Sequence, residues 1–228
     1  MIVDREEYLE LKPRFAPSLV TALARIGGVP VGVIANQPAY QVGSITPDAC
    51  LKATRLLCLC DAFGLPVVFL QDTPGALVGT EVEHDRLIAR LMTFLEALCL
   101  SRVPKVSVVV RKAFGLAFFA MGGTGMGSDL LVSWPNAELG FMDPVVGANV
   151  LFADQLAGLS GATLAAERDR LARELGGEFD PRQLAGLMNL DDIIEPADTR
   201  RIVGEALRSL VRRPLDRPSA LAAWPHWM

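Results

Sequence analysis

The 228-residue chain predicts an α/β domain built as a ββα spiral, on three observations. Unbroken apolar runs of strand length, residues 66–71 and 105–110, read as strands covered on both faces. Segments with helix start and stop signals separate them, which sets the class as α/β. The strands come in pairs ahead of a helix at uneven spacing, unlike the regular alternation of a doubly wound sheet.

Residues 8–13 read as extended. Residues 18–26 are apolar and tolerate β structure, Gly27 and Gly28 make a turn, and residues 29–35 return, so the two runs form a hairpin. Thr46-Pro47-Asp48 opens a helix, with Thr46 as N-cap and Pro47 at the first helical position. That helix runs to about Phe63 and Gly64 ends it. The strand at 66–71 stops at Asp72-Thr73-Pro74-Gly75. A helix follows from about Glu81 to Ser101, then the strand at 105–110, which ends at Arg111-Lys112-Ala113-Phe114-Gly115-Leu116-Ala117. Beyond the glycine-rich residues 121–127 come a strand at 130–133 and a short one around 138–142. The remainder reads as helices at about 150–158, 163–175, 181–187 and 199–212. The expected organisation is one domain over residues 1–213 and a Pro- and Trp-bearing tail over 214–228, closing on Trp224-Pro225-His226-Trp227.

Composition narrows the function classes. An apolar fraction of 51% excludes disorder and leaves apolar material for a partner interface. A net charge of −4 speaks against a nucleic-acid module, whose footprint is basic. No segment reaches the ~18 unbroken apolar residues of a membrane span. The charged N-terminus lacks the apolar region of a signal peptide, so the expected compartment is the cytoplasm. Cys50, Cys58, Cys60 and Cys99 form no CxxC pair and read as reduced, mostly buried small hydrophobes.

The usual catalytic sets are missing: no GxGxxG after the first strand, no GxxxxGK[ST] and no GxSxG. His84 sits in a polar stretch and reads as part of a solvated helix start rather than a general base. Asp191, Asp192 and Glu195 make no usable metal set, and no metal is expected. Residues 121–127 have the composition of a phosphate cradle. No Lys follows them, so a flexible or closely packed glycine turn is the plainer reading. The informative feature is the placement of small residues at strand ends. Gly115, Leu116 and Ala117 leave a buried strand and open an apolar helix. The first amides of a helix have no internal acceptor and sit at the positive end of its dipole. They form an oxyanion hole if a carbonyl docks there. On spacing alone, a tight turn relieved by glycine is the plainer reading, and Asp72 to Gly75 likewise read by default as a strand-to-loop turn.

Seven segments, in order and in register, resemble the carboxyltransferase β subunits of biotin-dependent acyl-CoA carboxylases. They are residues 43–48, 61–67, 72–75, 103–106, 111–115, 134–138 and 192–200. The resemblance implies a ClpP/crotonase-like ββα superhelix, and it covers only the C-terminal half of such a subunit. That half receives carboxybiotin, while an N-terminal domain mainly holds the acyl-CoA. The family usually reads Lys-Ala-Tyr-Gly-Gly-Ala where this chain has Lys112-Ala113-Phe114-Gly115-Leu116-Ala117. The implied catalytic groups are therefore the backbone amides of Leu116 and Ala117, with Gly115 beside them. The implied substrate- and biotin-binding residues are Asp72, Thr73, Pro74, Gly75, Phe114 and Phe119.

Two positions depart from the family pattern. Leu116 replaces the usual glycine, which narrows the pocket or restricts φ. Phe119 stands where many members carry a polar or small apolar residue facing the acyl group, which implies a departure from the usual short-acyl substrate. The implied cofactor is biotin, as carboxybiotin on a separate carrier protein. The implied partners are an N-terminal domain polypeptide, a biotin carboxyl carrier or biotin carboxylase subunit, and acyl-CoA, within a homo- or hetero-oligomer. Neither nucleic acid nor a membrane is expected as a partner. A chain limited to this half fits a separately encoded subunit, an excised domain or a repurposed half. Two other activities stay open: a crotonase-type acyl-CoA decarboxylase with a single oxyanion hole, and a non-catalytic assembly subunit whose hole is filled by Leu116 and Phe119. The expected geometry brings Asp72 to Gly75 and Gly115 to Ala117 to one rim of the sheet, with a cleft between them.

Overall fold

A computed structural model describes residues 2–5, 8–176, 180–187, 189–212, 215 and 219–221. The chain enters through β1 (Tyr8–Leu11), β2 (Leu19–Ile26) and β3 (Val29–Asn36), which pair antiparallel in sequence order. Gly27 and Gly28 close the hairpin at φ +59° and +83°. A two-residue turn with both φ values positive follows the strand twist, and glycine takes that conformation without strain. Asp4 accepts both glycine amides, at 3.0 and 2.9 Å, and ties the N-terminus to this turn.

Helix α1 (Pro47–Phe63) starts and stops where the sequence signals place it. The Thr46 hydroxyl accepts the Ala49 amide at 3.1 Å, and Gly64 ends the helix at φ +67°. The chain then alternates through β4 (Val67–Thr73), α2 (Thr80–His84), α3 (Leu87–Leu100), β5 (Lys105–Phe114) and α4 (Gly115–Ala120). Next come β6 (Leu130–Ser133), β7 (Glu138–Gly140), α5 (Pro144–Leu151), α6 (Ala153–Leu156), α7 (Gly161–Gly176), α8 (Pro181–Gly186), β8 (Asp192–Ile193) and α9 (Thr199–Leu210). The sheet runs β1-β2-β3-β4-β5-β6-β8, parallel from β3 onward, and β7 pairs with β5 off this path.

The two runs read as doubly covered strands are so in the structure. One face of β4 presents Phe69 to a core that includes Leu57, Leu91, Phe94 and Met121. The other face presents Val68, beside Val106 and Val108 of β5, to Val203 and Leu207 of α9. Helices α5, α6 and α7 close a small cluster of their own around Ala148, Leu156 and Leu171. Among the described residues, no helix is long and apolar enough to cross a membrane.

Three boundaries differ from expectation. Strand β5 continues past Val110 to Phe114, because its second half gains a new neighbour: Lys112, Ala113 and Phe114 pair with Glu138, Leu139 and Gly140. Arg111 and Lys112 therefore lie within the strand. The expected helix at 81–101 divides into α2 and α3, with Arg86 between them at φ +60°. The helix expected at 150–158 begins earlier, at Pro144, and breaks at Phe152. Asp143 caps it by accepting the Val145 amide at 3.0 Å, the same cap-then-proline signal that opens α1.

Within the expected tail, Leu221 is buried in the α1 and α3 core and the Ser219 hydroxyl bonds Asp61, so this part returns to the domain. Pro214 and Trp224 to Trp227 lie outside the described residues.

Close approach of α1 to β3 depends on Gly32, where an added Cβ would collide with the Cys60 sulfur. Gly32→Ala should therefore destabilise the fold by about 1–3 kcal/mol, the usual cost of overpacking. Urea unfolding of Gly32→Ala, Cys60→Ala and the double variant checks this. The double variant should lose less than the sum of the singles, because removing the sulfur makes room for the methyl group.

Candidate active site

Strands β4 and β5 are parallel neighbours and end at the same edge, where Thr73 pairs with Ala113. The residues beyond β4 turn sharply. The Thr73 hydroxyl donates to the Gly75 carbonyl at 3.1 Å and accepts the Gly75 amide at 3.2 Å. Gly75 sits at φ +135°, and an added Cβ there would lie 3.8 Å from the Phe114 carbonyl oxygen. The turn after β4 thus lies beside the end of β5 at Phe114, while the apolar cavity on the flank of α4 is lined by neither Asp72 to Gly75 nor Gly115 to Ala117. Asp72 is engaged: Arg111 Nε donates to its two carboxylate oxygens at 3.0 and 3.1 Å, and its amide donates to Asn36 Oδ1 at 3.1 Å. Pro74 and Gly75 are half-buried and Thr73 is buried.

Across from this turn the chain leaves β5 and enters α4 within one residue. Gly115 makes that change at φ +61°, and an added Cβ would stand 3.2 Å from the Phe141 carbonyl oxygen. Both the backbone conformation and the space demand glycine. Phe114, the preceding residue, supplies no side-chain cap. Among the described residues, neither the Leu116 amide nor the Ala117 amide has an acceptor. Ala117 is 0% exposed, so its N–H is a buried donor with no acceptor among the described residues. Such orphans are rare in folded proteins.

A cavity of about 260 Å³ opens on the flank of α4. Phe118 and Phe119 of α4, Leu139 and Phe141 from β7 and its exit, and Leu184 and Leu190 near α8 form its apolar walls. Thr124 also borders it, but the Thr124 hydroxyl is spent on the Asn189 carbonyl at 2.8 Å. Of the expected site residues, only Phe119 lines this cavity; Phe114 is buried at 1% exposure and does not line it. The remaining lining residues lie outside any local motif and reach α4 only through the fold.

Comparison with known proteins places the chain in a family. The carboxyl transferase domain family matches residues 1–222. The chain belongs to that family. It is 39% identical over 228 residues to the propionyl-CoA carboxylase beta chain of Saccharopolyspora erythraea, covering 99% of this chain and 41% of that protein. It is 37% identical over 219 residues to the methylmalonyl-CoA carboxyltransferase 12S subunit of Propionibacterium freudenreichii, covering 96% and 41%. A solved transcarboxylase 12S structure, described as a hexamer assembly, superposes with a TM-score of 0.85 at 37% identity, over 95% of this chain and 42% of that one. The Pseudomonas aeruginosa geranyl-CoA carboxylase beta subunit superposes at 0.83 with 29% identity, over 96% and 42%. The carboxyl transferase domain described here thus spans about two fifths of the length of these relatives, and its mixed α/β architecture is that of the crotonase-like carboxyltransferase structures.

The departure at Leu116 is harmless to the backbone of the carboxyl transferase domain. Leu116 is not among the positive-φ residues, and its side chain is exposed. The other motifs have structural uses. His84 lies exposed on α2. Asp191 accepts the Leu131 amide at 2.6 Å. The loop at 121–127 is closely packed at its start, since an added Cβ at Gly123 would lie 2.6 Å from the Phe118 carbonyl oxygen, and is exposed at Gly125 and Gly127. Burial pushes the thiols of Cys50 and Cys60 up to about 12 and that of Cys58 up to about 11. A raised thiol pKa leaves the unreactive protonated form at neutral pH. Iodoacetamide should therefore label exposed Cys99 in the folded protein and reach the other three only after denaturation. Mass spectrometry of tryptic peptides checks this, and rapid labelling of Cys58 or Cys60 in the folded chain would contradict it.

Proposed function

We propose that this carboxyl transferase domain is the carboxybiotin-receiving half of an acyl-CoA carboxyltransferase. It would work with an N-terminal domain polypeptide that holds the coenzyme A thioester. The observation that carries this reading is the buried Ala117 amide without an acceptor, next to the Leu116 amide at the junction of β5 and α4. When bound, carboxybiotin on its carrier protein supplies the carboxyl group and requires hydrogen-bond donors where its release exposes oxygen charge. The donor set fits that requirement: two backbone N–H groups in a first helical turn, fixed before the reaction and unable to titrate. One such donor contributes roughly 10²–10³ in rate, or about 3–4 kcal/mol.

The turn at Thr73, Pro74 and Gly75 forms the facing wall. Asp72 is held by Arg111 and is not assigned the role of a base. The apolar cavity beside Phe119 supports an acyl group with a hydrocarbon portion larger than the shortest acyl chains. Phe141 at 82% exposure and Leu187 at 71% leave the same side of the domain apolar, as a surface completed by a partner domain would be. The free buried thiols fit a reducing compartment, here the cytoplasm.

The test is reconstitution with an N-terminal domain polypeptide and a biotinylated carrier, following labelled carboxyl transfer to acyl-CoA. Ala117→Pro removes the donor and should cut transfer by roughly 10²-fold or more. Leu116→Gly keeps the amide and should hold or raise the rate. Far-UV spectra and melting must match the parent protein for either result to count. Full activity in a folded Ala117→Pro protein would place the charge stabilisation elsewhere. Turnover of a malonyl-type CoA thioester by the isolated chain, without carrier, would favour decarboxylation instead. Light scattering should show a complex of this chain with the N-terminal domain or with further copies of itself. A concentration-independent monomer under both conditions would overturn the assembly.

A further inference from the structure

Helix α4 has six residues and no side-chain cap at its N-terminus. A helix this short has no stability of its own, so other groups must hold it. Its C-terminal end is held by a polar cluster inside the apolar core. The carbonyl oxygen of Met121 accepts hydrogen bonds from Gln71 Nε2 at 2.9 Å and from the Ser107 hydroxyl at 3.0 Å. Gln71 Nε2 also donates to the Ser107 hydroxyl oxygen at 2.7 Å. Gln71, Ser107 and Met121 are each 0% exposed. The Met121 amide donates in turn to the Ala117 carbonyl at 3.0 Å. One side chain from β4 and one from β5 thus converge on the last carbonyl of the helix whose first turn carries the two free amides.

The cluster is costly. Gln71 Oε1 is buried with no partner among the described residues. An apolar side chain of the same shape would avoid that unmet acceptor, so packing alone does not account for glutamine at this position. Its contribution is the donor side of the amide, aimed at Met121. Resting on the function proposed above, we propose that Gln71 and Ser107 are positioning residues: they hold α4, and with it the Leu116 and Ala117 amides, in the geometry that the transfer reaction needs. Neither residue lines the cavity or belongs to the turn at Thr73 to Gly75.

Hydrogen exchange read by mass spectrometry on the 228-residue chain tests the mechanical half. Ser107→Ala and Gln71→Leu each remove two of the cluster's three hydrogen bonds and should speed exchange in the peptide spanning residues 117–123 by about tenfold or more. Amides of the β2–β3 hairpin should stay within about twofold. Ser107→Thr keeps the hydroxyl and should restore the parent rate. A uniform rise across the chain, or no rise in that peptide, overturns the proposal. Should Gln71→Leu fail to fold, the Ser107→Ala and Ser107→Thr pair decides the question alone.

The reconstituted enzyme tests the functional half. Ser107→Ala should lower kcat about tenfold and leave KM for the acyl-CoA within about twofold, with Ser107→Thr near the parent. An unchanged kcat despite faster exchange in the α4 peptide overturns the positioning role. Absence of transfer in the parent enzyme would instead sink the functional reading, while the exchange experiment still decides whether these side chains hold the helix.

Discussion

One backbone angle organises the rim of this domain. At Gly115 the chain leaves an extended strand and becomes helical with φ at +61°, against the Phe141 carbonyl oxygen. An added Cβ would crowd that oxygen at 3.2 Å, and a residue with a Cβ takes that conformation only with strain. The consequences are direct. The next two amides stand at a helix start with no acceptor among the described residues. Ala117 goes into the core, and Phe118 and Phe119 go to the wall of the apolar cavity. A strand that merely curled into a loop would scatter these groups. The abrupt change places two donors and an apolar pocket on one short element.

That element is too short to be stable alone, so the domain supports it from below. Strands β4 and β5 are covered on both faces, with Phe69 on one side and Val68, Val106 and Val108 on the other. Their rigidity fixes where Gln71 and Ser107 present donors, and where Thr73 and Gly75 turn. Cysteine serves the same purpose here. Cys60 lies against Gly32, where α1 comes closest to β3, and its buried, protonated thiol acts as a small hydrophobe. Among the buried polar side chains, those of Gln71 and Ser107 converge on Met121.

Local chemistry was legible where a residue type has a single good conformational use. Thr46-Pro47 and Gly64 bounded α1 to the residue, and Gly27-Gly28 marked the hairpin. Asp143-Pro144 carried the same signal as Thr46-Pro47. The helix it opens was nonetheless expected to begin at about residue 150, in the apolar run that follows. The end of β5 was misplaced for a different reason. Arg111 and Lys112 are charged and read as a strand terminus, but a strand continues wherever a neighbour offers hydrogen bonds. That neighbour, β7, lies more than twenty positions further along the chain. The break between α2 and α3 is set by Arg86 in a left-handed conformation, which arginine does not advertise.

Sequence by itself determined the α/β class, the buried parallel strands and the glycine at the β5–α4 junction, because each is written in residue type within a short window; the family was legible only as a resemblance of seven segments in register across the chain. Tertiary structure alone decided that the Ala117 amide is buried without an acceptor, since the absence of a partner is a property of everything around it. It also decided the cavity, whose walls come from α4, β7 and the α8 region. The Gln71 and Ser107 cluster belongs with these. Glutamine and serine in apolar strands look like isolated polar interruptions until β4, β5 and α4 bring their donors to one carbonyl. Contacts between residues far apart in the chain depend on register and layer packing, and no local pattern encodes those distances.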